Sequence, residues 1–354
     1  MGTVALDPRQ PTGIFLDGDF HDTGRRAPVR DPYRGETVAE VSLGTAADVE
    51  RAVARAVGRL PPPPAVERAE VLERAARLVD ERREVFAHTI CLEAGKPLVQ
   101  ARAEAARCVD TLTYAAVEAR TLAGEVVPFE GSRAGAGKLG LVLWEPIGVV
   151  GAIAPFNFPL NLVAHKVAPA VAAGCPVVVK PATATPLSAL LLARTLAEAG
   201  LPPGALAVVP GGGGDVGDAL VRDPRVPMIS FTGSVPVGWG IRERAPRKHV
   251  ALELGNSTPV VVAEDADLDL AAGRLAASGY THAGQSCISV QRVYVQRAVH
   301  DDFLEAFRAA VDALVVGDPR DPATQVGPVI DRDAHARVLE WLSLIHISEP
   351  TRPY

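Results

Sequence analysis

Val177-Val178-Val179-Lys180-Pro181-Ala182 decides how the chain is to be read: a β-branched run ends on a lysine and a proline, and a helical pattern starts at Thr185-Pro186. The same strand-then-helix unit recurs on either side. Upstream, residues 142–153 read as a strand that leads into a helix from about Pro159. Downstream come strands over 205–209, 228–231 and 250–254, with a short helix around Asp218 and a further helix before the last strand. Such alternation argues for a parallel sheet with crossover helices.

Before the sheet the pattern is helical. Thr45-Ala46-Ala47-Asp48 has capping-box spacing and opens an alanine-rich helix that ends before the prolines at 61–64. Val66, Leu72, Ala75, Val79, Val85, Phe86 and Ile90 recur at helical spacing as one second helix, which Gly95 and Pro97 stop. A third helix covers about 98–123, its arginines and glutamates forming a solvated face. The glycine run 211–214, with Gly217, ends a strand and opens a helix; it serves equally as a plain turn or as backbone N–H groups that meet a phosphate. After Gly255 a second unit begins, with strands over 260–262 and 290–295 and helices from about Leu268, over 300–314 and over 331–342.

A chain of 354 residues with 48% hydrophobic content can build two or three domains with sizeable cores. The net charge of −6 and the lack of a basic patch argue against a nucleic-acid partner. Asp7, Arg9 and Asp17 break the N-terminus, which is not a signal peptide, and the apolar stretch 160–179 is interrupted by His165, Lys166 and two prolines, so no membrane span is expected. Cys91, Cys108, Cys175 and Cys287 show neither CxxC spacing nor nearby His pairs, which argues against a metal site or a disulfide framework. The expectation is a cytoplasmic enzyme.

Its chemistry centres on Cys287 in Gly284-Gln285-Ser286-Cys287-Ile288-Ser289 and on Glu253 in Leu252-Glu253-Leu254-Gly255. A thiol can attack a carbonyl and hold the product as a thioester, and a carboxylate can activate the water that releases it. Each alone has a bland reading, since free Cys is among the most buried residue types. Two further stretches precede them: Glu145-Pro146-Ile147-Gly148-Val149-Val150-Gly151-Ala152-Ile153-Ala154-Pro155-Phe156-Asn157-Phe158-Pro159-Leu160 and Phe231-Thr232-Gly233-Ser234. Together with the Lys180 stretch and in this order, they resemble the aldehyde dehydrogenase superfamily over about residues 18–342.

The resemblance implies an aldehyde dehydrogenase-like α/β fold: a Rossmann-type parallel-sheet cofactor domain over 1–127 and 146–255, a subunit-contact hairpin over 128–145, and a partial α/β catalytic domain over 256–342. It implies Cys287 as nucleophile, Glu253 as general base and Asn157 as the amide that stabilises an oxyanion together with the Cys287 backbone N–H. NAD or NADP would meet Ile153, Ala154, Pro155, Phe156, Lys180, Thr183, Gly213, Gly217, Phe231, Thr232, Gly233, Ser234, Val237, Leu254 and Gly255. The substrate implied is a small-molecule aldehyde oxidised to a carboxylate, and the full-length protein is expected to be a homo-oligomer. Glu253 favours hydrolysis over transfer to coenzyme A, because members that use coenzyme A generally lack it.

Three departures qualify the match. NAD-preferring members commonly carry a glutamate three residues after the lysine; the neutral Thr183 there removes a charge that repels a 2′-phosphate, which admits NADP. Asn256 and Ser257 replace the more usual glycine and lysine. Residues 343–354 have no family counterpart and look like translated adapter or vector sequence, and the family's Glu-Ile-Phe-Gly-Pro segment is not found, so the alternative expectation is a truncated, inactive dinucleotide-binding fragment. Cys287-Ile288-Ser289-Val290-Gln291-Arg292 looks like the group that handles small hydroxy- or carboxy-aldehydes.

Overall fold

Asp17 and Gly18 both take positive φ (54° and 89°), so β1 (Ile14–Leu16) and β2 (Asp19–His21) close as a two-residue hairpin. The computed structural model describes residues 4–345. A second antiparallel pair, β3 (Arg26–Arg30) and β4 (Thr37–Ser42), precedes the helices. The capping box forms at α1 (Ala46–Val57), where Asp48 Oδ2 accepts from the Thr45 backbone N–H at 2.7 Å. The single helix expected through Ile90 is instead two, α2 (Ala65–Glu81) and α3 (Arg83–Ala94), because Arg82 leaves helical geometry at φ −108°, ψ 19°. Gly95 ends α3 in the left-handed region, and α4 (Leu98–Thr121) follows.

The strand expected over 142–153 is also divided. Pro146 cannot donate a ladder hydrogen bond and Gly148 sits at φ 116°, so β6 (Gly140–Val142) pairs back with β5 (Glu125–Val127) as an antiparallel hairpin, and β7 (Val150–Ile153) starts afresh. The hairpin pairing thus opens at residue 125, ahead of the boundary at 128. Four parallel partners follow through α5 (Asn161–Ala172), β8 (Val177–Lys180), α6 (Leu187–Glu198), β9 (Leu206–Val208), α7 (Asp218–Arg222), β10 (Met228–Gly233), α8 (Val235–Arg244) and β11 (His249–Leu254). The sheet order is β11-β10-β7-β8-β9-β1-β2, with β1 and β2 antiparallel at one edge.

Both faces are buried at the central strands β7, β8 and β9, which explains why these read as continuous apolar runs rather than alternating ones, whereas β11 at the edge alternates. Val177, Val179, Leu206 and Val208 enter the core under α2 to α6, whereas Val178, Ala207, Ile229 and Phe231 enter the one under α1, α7 and α8. Gly151 lets the second core pack closely on β7, since a Cβ there would stand 2.7 Å from Ile229 Cδ1 and 3.0 Å from Leu220 Cγ. The second unit pairs β12 (Pro259–Val262) in parallel with β13 (Arg292–Val295) across α9 (Leu268–Tyr280), and Phe303 of α10 (His300–Asp312) completes a small core with Val262, Ala272 and Leu275. The last helix, α11 (Arg332–Ile345), leaves Val338, Leu339, Trp341 and Leu342 exposed, and residues 346–354 of the final segment lie outside the described residues. Among the described residues no helix is long and apolar enough to cross a membrane.

Two buried glutamates tie the helical layer to the sheet. Glu93 Oε2 accepts from Leu187 N (2.6 Å) and its Oε1 from Ser188 N (2.9 Å), which caps α6 from a different helix. Burial pushes its carboxyl up to about 8, against the pull of these donors and of the Ser188 hydroxyl. Glu104 caps α5 in the same way, accepting from Leu160 N (3.0 Å) and Asn161 N (3.1 Å). Its other oxygen accepts from the buried Lys96 ammonium, and removing either member of such a pair costs about 3–5 kcal/mol by stranding a charge in a dry interior.

Candidate active site

The C-terminal ends of β7, β8, β10 and β11 open into a cleft of about 500 Å³. This is where an open α/β sheet presents its loops to a ligand. Ile153, Ala154, Pro155, Phe156 and Asn157 line it from the loop after β7, Lys180 from β8, and Gly213 and Gly217 from the turn before α7. Phe231, Thr232, Gly233, Ser234 and Val237 enter from β10 and α8, and Glu253, Leu254 and Gly255 from the end of β11. Cys287 closes the wall from the second unit, with Gly284, Gln285 and Ser286 before it. Thr183 alone among the motif residues stands outside the wall, exposed, its hydroxyl donating to Gly211 O at 3.2 Å.

Exposure separates Cys287 from the other cysteines. Cys91, Cys108 and Cys175 are buried, and Cys287 is half-buried at the cleft. Burial pushes the Cys91 thiol up to about 12 and Cys108 higher still, so neither forms a thiolate at neutral pH. Asn256, which sequence reading left without consequence, holds the Cys287 turn: its Nδ2 donates to Cys287 O, and its side-chain Oδ1 accepts from Thr258 N at 2.9 Å. Among the described residues the Cys287 backbone N–H has no hydrogen-bond partner. Asn157 Nδ2 donates to Gln285 O at 2.8 Å, which couples the loop after β7 to the chain two residues before the thiol, and its buried Oδ1 has no partner among the described residues.

Glu253 lies opposite Thr232 in the β10/β11 register. Behind that pair sits Lys166 of α5, which the sequence reading passed over; its ammonium donates to Thr232 Oγ1 (2.8 Å) and Ser230 Oγ (3.1 Å). Burial pulls this ammonium down to about 8, and the Glu253 carboxylate pulls the other way. Lys180 is pulled down to about 8 by burial as well, and it donates to Pro181 O at 3.0 Å. His165 is lowered by burial first, then by Arg107 and Lys166, with Glu253 opposing. Lys180 and Glu253 line the cleft and Lys166 lies behind it, and no local motif marks Lys166 or His165, which only their surroundings in space reveal.

The comparisons with known proteins agree with this geometry. The sequence profile described as "Aldehyde dehydrogenase family" matches residues 20–347. The 3-sulfolactaldehyde dehydrogenase of Priestia aryabhattai is 41% identical over 331 residues, which cover 93% of this chain and 69% of that protein. The mitochondrial succinate-semialdehyde dehydrogenase of Arabidopsis thaliana is 41% identical over 334 residues, covering 92% of this chain and 61% of that one. Among solved structures, aldehyde dehydrogenase 21 from Physcomitrella patens, in complex with the reaction product succinate, superposes with a TM-score of 0.91 at 39% identity, over 94% of this chain and 70% of that one. A 3,6-anhydro-L-galactose dehydrogenase in complex with NAP gives 0.89 at 36% identity, over 94% and 70%.

Proposed function

Because the chain belongs to the aldehyde dehydrogenase family, we propose that it oxidises a short aldehyde with an anionic tail to the carboxylate, using NAD or NADP and a covalent adduct on Cys287. The observation that carries the substrate class is Arg107. Its guanidinium is exposed, 5.1 Å from the ring of Phe158, one residue past Asn157, and it has no acidic partner among the described residues. His165 lies close enough for its titration to respond to both Arg107 and Glu253. A bidentate guanidinium suits a carboxylate or a sulfonate, and the relatives named for 3-sulfolactaldehyde and succinate semialdehyde act on aldehydes ending in such groups.

In this reading the Cys287 sulfur adds to the aldehyde carbon, and the developing oxyanion is met by an Asn157 amide proton and the free Cys287 N–H. A nicotinamide dinucleotide in the cleft supplies the hydride acceptor. Its fit is supported by the open space over Gly212, Gly213 and Gly214, where an added Cβ would meet nothing within 4 Å, and by the buried Lys180 ammonium beneath. The thioester left on Cys287 is attacked by water whose proton passes to Glu253, and the thiolate departs. Lys166, anchored on two hydroxyls, keeps positive charge beside that carboxylate.

The test of the substrate class is a panel of succinate semialdehyde against butanal. Arg107→Gln is expected to lower kcat/KM for the anionic aldehyde by about 10- to 100-fold, the worth of a charge-assisted hydrogen bond, and to leave butanal unchanged. An unaltered ratio between the two aldehydes sinks the assignment. Cofactor choice is tested separately at Thr183. Thr183→Glu is expected to weaken NADP much more than NAD, because a carboxylate beside the Gly211 turn repels a 2′-phosphate; an unchanged NADP to NAD ratio of kcat/KM removes the position from cofactor reading.

A further inference from the structure

We propose that the buried Lys96–Glu104 pair is a positioning device for the acylation step, a strut from the helical layer that holds the Asn157 amide and the Cys287 turn in one arrangement. It rests on the roles given to Asn157 and Cys287 above. The pair is dry, with side-chain exposures of 1% and 0%, and the ammonium donates to Glu104 Oε2 at 2.5 Å. Glu104 grips the chain just after Asn157, through Leu160 N and Asn161 N. Lys96 bears on the residue between: its Nζ is 3.6 Å from the centre of the Phe158 ring. The loop that carries Asn157 is thereby fixed by a charge at its ring and by an acceptor at the helix it enters.

The same ammonium reaches the other half of the site. His282, five residues before Cys287, is buried with both ring nitrogens unpartnered among the described residues, and Lys96 is close enough to depress its protonation after burial has done so. Its ring tilts against Phe156 at 6.4 Å between centroids. His282 and Ala283 take φ of 51° and 55°, and non-glycine residues persist there only where their surroundings over-determine them. The constraints are visible: His282 N donates to Gln100 Oε1 at 3.0 Å, on the helix turn between Lys96 and Glu104, and His282 O accepts from Gln285 N at 3.1 Å. Gln285 O in turn receives the Asn157 amide, which closes a ring of contacts around the reacting groups. A buried ion pair is a poor source of stability beside an apolar pair of the same volume. What this one provides is fixed distance between two loops that have no backbone pairing with each other.

The experiment compares the parent protein with Lys96→Met/Glu104→Gln and with Phe158→Leu, in single-turnover NADPH formation, in NADP titration and in the alkylation rate of Cys287 by iodoacetamide. The double variant removes both charges yet keeps an amide oxygen for Leu160 and Asn161; Phe158→Leu leaves the ion pair whole and removes the ring it bears on. Both are expected to slow the burst rate constant by about 10- to 100-fold, as a displacement on the order of 1 Å does, with NADP affinity and the deacylation rate unchanged. Loss of folded protein alone lowers the burst amplitude and not its rate constant. A parent-like burst rate and alkylation rate in either variant overturns the proposal. Failure of the underlying reading looks different: the parent itself then gives no burst, and Cys287→Ala leaves the labelling pattern unaltered.

Discussion

Cys287→Ala is expected to abolish aldehyde oxidation, by roughly 10⁴- to 10⁶-fold in kcat, and to leave dinucleotide affinity where it is in the parent. The separation follows from how the cleft is built. Its cofactor side comes from the ends of β7, β8, β10 and β11 and from the Gly213 turn, all within the parallel sheet, whereas Cys287 arrives on a loop of the second unit. Removing one sulfur from that loop would take away the proposed nucleophile and leave the sheet-side walls of the cleft untouched. Nor can another thiol stand in. Cys91 and Cys108 are sealed in the helical core at 1% and 0% exposure, and Cys175 is buried at 6% just before the N-terminal end of β8, away from the cleft at the strands' C-terminal ends. Their replacement by Ser changes stability rather than turnover. Steady-state NAD(P)H production with a parallel fluorescence titration of the cofactor decides the matter, and residual turnover in Cys287→Ala within about tenfold of the parent, a difference of only about 1.4 kcal/mol in barrier, removes the assignment.

The sequence carries the centre of the parallel sheet plainly because β7, β8 and β9 are buried on both faces. Val177–Lys180 is read to the residue, since an unbroken β-branched run bounded by a proline has few other homes. The N-terminal strands escape because they are short. β1 and β2 are three residues each, and Asp17-Gly18 is the only local signal of their turn. The split between α2 and α3 carries no glycine or proline at all: it arises where Arg82 lets two helices lie differently on α4, so periodicity runs through it. In the cleft, Asn157 on the loop after β7 and Glu253 near the end of β11 meet Cys287 on a loop of the second unit. Lys166, Arg107, His282 and the Lys96–Glu104 pair were not legible. Their partners lie far away along the chain, 56 residues between Glu104 and Leu160 and 66 between Lys166 and Thr232, and burial of an ionisable group is invisible until the fold supplies the walls.

Glu253→Gln separates the two halves of the reaction. The substitution keeps the shape of the side chain at the end of β11, opposite Thr232, and removes only the capacity to take a proton from water. Acylation does not need that capacity, since the thiol, the Asn157 amide and the Cys287 N–H are untouched. The expected result is a single stoichiometric burst of NAD(P)H followed by a steady state slower by about 10²- to 10⁴-fold, with the acyl group trapped on Cys287 and visible as a mass increase of the intact protein. Lys166 sharpens the expectation. Its ammonium titrates at about 8 and is held there partly by Glu253; with a neutral amide opposite, the attraction that opposed burial is gone and the lysine loses its proton at lower pH than in the parent. In Glu253→Ala, which vacates the space of the carboxylate, a small external base such as acetate is expected to restore part of the slow phase, because only a proton acceptor is missing. A parent-like steady state in Glu253→Gln without the trapped adduct means that another group activates the water, and His165, whose protonation responds to Glu253, becomes the residue to replace next.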